Sequence, residues 1–213
     1  MPICYQSECA GARFAVWHIT ETEEDLFSKL DDKRYHALQL KQRLHPRRRI
    51  DYLTTRLLLQ VLLPQAATQV TYLPNGRPVL PDKLGFLSLS HTAGYAAVIV
   101  HPFHPVAIDI EQQGSKAARL ATRFVRADEQ QCIAATQKKE VCTFVWSAKE
   151  SLFKIIQEEA VDFKEHLYLF LETPLPTLGS VRACVHKNLC VREYYIFYQL
   201  QPHYVLTYII EQF

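Results

Sequence analysis

Short apolar runs and alternating apolar and polar residues recur along both halves of the chain. In the first half they predict a strand over residues 13–20 and an antiparallel pair over 85–90 and 95–100, joined by HTAG. In the second half, residues 106–111 (VAIDIE) alternate as a half-buried strand does. Further strands are predicted at HLYLFLE, VRACVH, YYIFYQL and HYVLTYIIE. Both halves therefore contain predicted antiparallel sheet.

Helical periodicity separates these groups of strands. A helix should begin at Thr20 or Thr22, where acidic residues follow a candidate N-cap. Residues 46–63 carry one apolar stripe, formed by Ile50, Leu53, Leu57 and Val61, and Arg48, Arg49 and Arg56 should point away from it. Helices are also predicted over residues 116–125, 127–136 and 143–156. We therefore predict an α+β fold of two similar subdomains, each an antiparallel sheet with packed helices, at residues 1–104 and 105–213.

Composition and charge narrow the class of protein. The 213 residues are 48% hydrophobic, which excludes a disordered or fibrous chain. The formal charge of +2 is nearly balanced, so affinity for anions must come from local clusters. Six cysteines without a CxxC pair, and no evident signal peptide, predict thiols in a reducing cytoplasm. No apolar run approaches the ~20 residues of a membrane span.

Two acidic residues in the strand at 106–111 are the first candidates for chemistry. Asp109 and Glu111 are two residues apart, so both carboxylates project from one face, while Ile108 and Ile110 project from the other. Adjacent carboxylates repel unless a cation lies between them, and a hard divalent ion is a common solution. The alternative is a solvated face of an edge strand.

A second group of candidates lies on the helix at 143–156. Trp146, Glu150 and Lys154 have spacings of i, i+4 and i+8 and share one face. The opposite side should be buried by Phe144, Val145, Leu152 and Phe153. The alternative is a surface ion pair between Glu150 and Lys154 with Trp146 as a half-buried anchor.

Cationic and hydroxyl groups suited to phosphate lie in the first half. Arg77 is in a turn, Ser90 and His91 end a strand, and residues 41–49 (KQRLHPRRR) are strongly basic. Each could also be ordinary surface or a nucleic-acid contact. The sequence has no GxxxxGK[ST], GxGxxG, HExxH or GxSxG motif, which leaves divalent metal plus phosphate as the coherent theme.

The ordered motifs NGRPVLP, LSLSHTAGYAAVIV, AIDIE and FVWSAKESLFK resemble the signature of the 4′-phosphopantetheinyl transferase superfamily. The resemblance covers residues 72–154 well and the last 55 residues hardly at all. It implies the fold of that superfamily, and the length implies its long, surfactin-synthetase-activating type. In that type, two halves related by a pseudo-twofold axis form one site within a monomer. Ala107 stands where the family usually has glycine.

The resemblance also implies an activity of the holo-[acyl-carrier-protein] synthase type. Phosphopantetheine would move from coenzyme A to a serine of an apo acyl or peptidyl carrier protein, with Mg²⁺ and release of adenosine 3′,5′-bisphosphate. Asp109, Glu111 and Glu150 would bind Mg²⁺, and Glu150, Lys154 and Asp109 would be catalytic. The residues implied to bind coenzyme A are Arg48, Arg56, Arg77, Ser90, His91, Lys149 and Lys154. No nucleic-acid or membrane partner is expected.

Two other classes of function remain open at this stage. The same three acids could serve another Mg²⁺-dependent phosphate enzyme, such as a nuclease, which would depend on DNA or RNA and ignore coenzyme A. A non-enzymatic module that binds a carrier protein or nucleic acid would instead rely on the basic helix and survive EDTA. The sequence does not name the carrier protein or its pathway.

Overall fold

Two antiparallel sheets, one in each half of the chain, form the framework of this computed structural model. The structure describes residues 3–43, 45–133, 138–172, 175–187 and 190–211. The chain divides into two units, Met1–Val106 and Ala107–Phe213. Within the described residues, no helix is long and apolar enough to cross a membrane.

The first unit is a four-stranded sheet with three helices. Its elements are β1 (Ile3–Cys9), β2 (Ala12–His18), α1 (Glu23–Ser28), α2 (Lys33–Lys41), α3 (Pro46–Leu62), β3 (Thr71–Tyr72), β4 (Pro78–Val79), β5 (Phe86–Thr92) and β6 (Tyr95–His101). The order in the main sheet is β1-β2-β6-β5, and β3 pairs with β4 in a separate ribbon. Helix α3 packs on β2 and β6, where Leu53 and Leu58 join Trp17 and Val98 in the core.

Local sequence signals determine where these elements begin and end. Thr22 caps α1 in a capping box with Asp25, so the second of the two candidate caps is the correct one. Pro46 opens α3 at a position where no amide donor is needed. The β5–β6 hairpin is confirmed, but its turn is only Ala93–Gly94, because His91 and Thr92 belong to β5. Gly94 has a φ of 79°, which glycine tolerates best.

The second unit is a five-stranded sheet packed against one long helix. Its elements are β7 (Val106–Gln112), α4 (Lys116–Leu120), α5 (Ala127–Gln131), α6 (Lys138–Ile156), β8 (Leu167–Phe170), β9 (Leu178–Lys187), β10 (Cys190–Leu200) and β11 (Tyr204–Ile210). The sheet order is β7-β11-β10-β9-β8. Phe144, Ala148 and Leu152 of α6 fill the core against β10 and β11. Residues 134–136 of the helix predicted at 127–136 lie outside the described part.

Two details of the predicted elements are wrong. Strand β7 is not half-buried, since every residue from Val106 to Ile110 is buried, including Asp109. Strand β1 was not predicted, although its burial alternates with a period of two and it forms the edge of the first sheet.

The two units share an order of elements. In each unit strands come first, helices follow and further strands come last. The last strand lies beside the strand that precedes the helices, as β6 does beside β2 and β11 beside β7. In each unit the longest helix packs on that last strand. The predicted α+β fold with antiparallel sheets and packed helices is confirmed.

Candidate active site

An ion pair joins α6 to β7. Lys154 Nζ lies 2.7 Å from Asp109 Oδ1 and donates to the carbonyl of Ile108 at 3.0 Å. The Asp109 side chain is 5% exposed and that of Lys154 is 27% exposed. Asp109 is therefore not part of a solvated edge strand, and Lys154 makes a contact beyond its own helix.

Glu150 lies in the same electrostatic environment. Burial raises the pKa of Glu150 to about 7, the Asp109 carboxylate adds to this, Lys154 opposes it, and Glu111 makes a smaller contribution. The other two predicted acids therefore both act on Glu150. A carboxyl group with this pKa can accept a proton near neutral pH.

Trp146 links the helix to the third acid. Its indole Nε1 donates to Glu111 Oε1 at 2.8 Å. The half-buried ring packs edge-on against Phe124, with centroids 5.1 Å apart, and stacks on Phe163 at 5.5 Å. Phe153, predicted to be buried, is 40% exposed, and its ring centroid lies 5.5 Å from that of Phe163.

The chemistry of these acids suits a hard cation, because three carboxylates supply only oxygen ligands. Their geometry is not a preformed cage: among the residues that the structure describes, no group of three or more His, Cys, Asp or Glu side chains is arranged to hold a metal ion. Asp109 is held by Lys154 and Glu111 by Trp146. The three carboxylates are thus ligands of the type that Mg²⁺ prefers, and two of them, Asp109 and Glu111, contact neighbouring donors.

Lys149 requires a correction, because it was predicted to contact coenzyme A. Its side chain is 0% exposed, and Nζ lies 2.9 Å from Glu129 Oε2, 2.7 Å from the Phe124 carbonyl and 3.0 Å from the Phe163 carbonyl. Burial lowers the pKa of Lys149, and Glu129 opposes that shift. With its three protons directed at three partners, this ammonium cannot reach a ligand.

In the first unit, Asp51 contacts the side chains of Arg47 and His91. Its buried carboxylate accepts from Arg47 Nε at 3.0 Å and lies 3.3 Å from His91 Nδ1. Arg47 also donates to the Thr92 carbonyl at the end of β5. Ser90 is buried beside an exposed His91. The end of β5 and the start of α3 therefore form one charged cluster.

The other arginines predicted to bind coenzyme A, which are Arg48, Arg77 and Arg56, differ in their exposure to solvent. Arg48 is exposed, and Arg77 is half-buried, which lowers its pKa. Arg56 was predicted to point away from the core, but it is 1% exposed, lies over the Tyr52 ring at 4.7 Å and donates to the Tyr72 hydroxyl. The structure thus places the Arg56 guanidinium beside aromatic rings, and its contact with coenzyme A stays a prediction.

Several residues of these clusters were missed from the sequence. Asp51 could have been found, because its i, i+4 spacing from Arg47 places them on one helical face. Glu129 follows Arg126 by three residues and closes a capping interaction, which is a weaker signal. Phe124 and Phe163 lie in loops, where no periodicity predicts their contact with Trp146.

In the second unit, carboxylates of β7 and α6 therefore lie beside the Lys154 ammonium. Residues 105–208 match the family model described as the 4′-phosphopantetheinyl transferase superfamily, so the second unit is similar to members of that superfamily. The resemblance recognised in the motifs is thereby confirmed. The match includes Asp109, Glu111, Glu150 and Lys154, and it leaves out residues 1–104 of the first unit. Among curated proteins, none matches the chain.

Proposed function

We propose that this protein is a Mg²⁺-dependent transferase of the long, monomeric type. It moves 4′-phosphopantetheine from coenzyme A to a serine of an apo acyl or peptidyl carrier protein in the cytoplasm. The observation that carries the proposal is the contact of Lys154 with Asp109 beside Glu150, within the residues that match the superfamily. A cation and acids in this arrangement suit a reaction at a pyrophosphate.

Asp109, Glu111 and Glu150 are the residues that would hold the metal. When bound, Mg²⁺ neutralises charge on the pyrophosphate and on the departing bisphosphate. The protein must first loosen the hold of Lys154 on Asp109 and of Trp146 on Glu111. Lys154 is partly exposed, so its ammonium can turn from Asp109 toward a phosphate oxygen.

Glu150 is the proposed general base. In the metal-free protein its raised pKa, about 7, makes it a better proton acceptor than an ordinary carboxylate. It removes the proton of the carrier serine, directly or through water, as the serine oxygen bonds to the β-phosphorus of coenzyme A. The bond from that phosphorus to the bridging oxygen breaks, and adenosine 3′,5′-bisphosphate leaves. Lys154 stabilises negative charge that develops during this exchange.

The first unit would bind the phosphates of coenzyme A. His91 and Arg77 are the proposed contacts, with Ser90 and Arg48 as further donors, and His91 would read the 3′-phosphate. Supporting this role, His91 is exposed at the end of β5 and backed by the buried carboxylate of Asp51. Such a pair directs an imidazole toward solvent or a ligand.

The deciding experiment incubates the protein with fluorescent coenzyme A and a panel of apo carrier proteins, with Mg²⁺ or with EDTA. We expect covalent labelling of at least one carrier, loss of labelling in EDTA, and loss in the Asp109→Ala variant. Single-stranded DNA and RNA serve as competing substrates in parallel. Cleavage of nucleic acid without carrier labelling would replace the proposal with the nuclease alternative, and binding that survives EDTA without labelling would favour a non-enzymatic module.

A further inference from the structure

Lys149 and Glu129 form an ion pair that is enclosed within the second unit. Their side chains are 0% and 1% exposed, and the charged atoms are 2.9 Å apart. Burying two charges is costly, and such a pair often adds little stability compared with apolar residues of the same volume. The pair therefore calls for an explanation other than stability.

The remaining hydrogen bonds of the pair go to the main chain. Lys149 donates to the carbonyls of Phe124 and Phe163. Glu129 accepts from the amides of Arg126 and Leu169 at 2.9 and 3.1 Å. One ion pair thus joins α6 and α5 to two loops and to β8, elements that are distant in the chain.

Lys149 donates to the carbonyls of Phe124 and Phe163, and the rings of the same two residues pack against Trp146. The Phe124 ring contacts the indole edge-on, and the Phe163 ring stacks on it. The indole has a single donor, Nε1, and it points at Glu111 Oε1. A shift of either phenylalanine backbone would move the indole, and a small movement is enough to break a hydrogen bond of 2.8 Å.

We propose that Lys149 and Glu129 are positioning residues, which orient Glu111 through the aromatic clamp on Trp146. The inference rests on the proposed function, because it gives Glu111 a metal-binding role. Trp146 is then the donor that fixes the Glu111 carboxylate, and Lys149 with Glu129 fixes Trp146. Residues that orient metal ligands in this way commonly change metal affinity 10- to 100-fold when replaced, which is about the effect expected here.

The test uses Lys149→Met combined with Glu129→Gln, which removes both charges and leaves no unpaired buried ion. Glu129→Gln alone is the second variant, which serves if the double variant does not fold. It keeps the shape of the side chain and an acceptor for one of the two amides, and it leaves the Lys149 ammonium without its counter-ion. The first readout is the pair of indole N–H resonances in the NMR spectrum of the protein, which has two tryptophans. Trp17 donates to Glu21 in the first unit and is an internal reference.

We expect the Trp146 resonance to shift while the Trp17 resonance stays in place. The second readout is the Mg²⁺ concentration that gives half-maximal transfer, which should rise about tenfold or more, with the KM for coenzyme A unchanged. Adding Trp146→Phe to the double variant should then raise the Mg²⁺ requirement little further, because both changes interrupt the same chain of contacts.

Ser151→Ala is the matched control. Ser151 is a buried residue of the same helix that bonds to Thr207 on β11 at 2.8 Å, so its loss removes a buried hydrogen bond of another part of α6. It should lower stability and move neither readout. The proposal is overturned if a folded variant of the pair leaves the Trp146 resonance or the Mg²⁺ requirement unchanged, or if Ser151→Ala moves both equally. If wild type shows no Mg²⁺-dependent transfer, the proposed function fails, and the resonances still decide whether the pair positions Trp146.

Discussion

Asp51 Oδ2 lies 3.3 Å from His91 Nδ1, and this buried carboxylate on α3 thereby fixes an exposed imidazole at the end of β5. A proton on Nδ1 directed at Asp51 leaves Nε2 to face a ligand. The carboxylate also holds Arg47, whose side chain reaches the Thr92 carbonyl. The orientation of His91 therefore depends on a residue outside the motifs of the superfamily recognised in the sequence.

We expect Asp51→Asn to impair recognition of the 3′-phosphate. An asparagine can still hydrogen-bond to His91, but it removes the negative charge beside the imidazole and Arg47, so the KM for coenzyme A should rise about tenfold, corresponding to ~1.4 kcal/mol. The KM for dephospho-coenzyme A should change little. Glu24→Gln, which makes the same change at an exposed acid of α1, is the control. An equal rise with both substrates would argue against a 3′-phosphate role for His91.

Asp109→Asn should separate activity from folding. Transfer should fall by at least ~10²-fold, because a metal-binding carboxylate and the partner of Lys154 are lost together. The melting temperature should change little, since the amide keeps the volume of the side chain and relieves repulsion with Glu150. The check is transfer at low millimolar Mg²⁺ beside a thermal melt. A variant with near wild-type rate would refute the metal assignment.

Replacing Lys154 with glutamine tests charge stabilisation directly. If this ammonium meets the phosphate, kcat should drop by ~10²–10³-fold with little effect on stability. Lys187→Gln is the matched control, because Lys187 is a lysine of the same unit that lies 3.5 Å from Glu158. Single-turnover rates at saturating coenzyme A measure the difference. Equal loss of rate in both variants would mean that the effect is general electrostatics and not a local contact.

Glu150→Gln should stabilise the metal-free protein at alkaline pH. The folded-state pKa of Glu150, about 7, exceeds the ordinary value of 4.5, so the folded protein binds this proton more tightly than the unfolded chain does. Below pH 4.5, ionisation of Glu150 consequently does not reduce the free energy of unfolding. The reduction grows between pH 4.5 and pH 7 and is complete above pH 7. We expect the glutamine variant to be more stable than wild type at pH 8 by on the order of 1–3 kcal/mol.

Urea unfolding in EDTA at several values between pH 5 and 8 measures this dependence. The difference between the two proteins should shrink steadily toward pH 5, because Glu150 is then mostly protonated in the folded wild type. A difference that does not vary with pH would show that Glu150 has an ordinary pKa and that the amide acts through packing.

Periodicity predicted those parts of the fold and the site that depend on one element or on neighbouring elements. The spacing of two in β7 and of four in α6 selected Asp109, Glu150 and Lys154, and the structure brings these residues together. The predicted helix at 46–63 and the β5–β6 hairpin were also correct, because a proline, a glycine and an apolar stripe marked them. Such signals are local, so sequence alone reveals them.

Residues whose role depends on distant partners were misinterpreted. Lys149 lies beside Glu150 in the motif, and nothing local distinguishes a lysine that meets solvent from one that meets Glu129 twenty residues earlier. The environment of Arg56 is equally hard to predict. Tyr72, which accepts its hydrogen bond, lies on β3, sixteen residues further along the chain. Only the folded chain shows which cations are covered, because burial is a property of the packing and not of the spacing.

The two-residue turn at Ala93–Gly94 has a consequence for variation among related sequences. It pairs Thr92 with Tyr95 and His91 with Ala96, so the length of the turn sets the register of β5 and β6 at this end of the hairpin. One inserted residue would change the register and point the imidazole to the opposite side of the sheet, away from Asp51. Natural relatives should therefore keep the length of the Ala93–Gly94 turn constant.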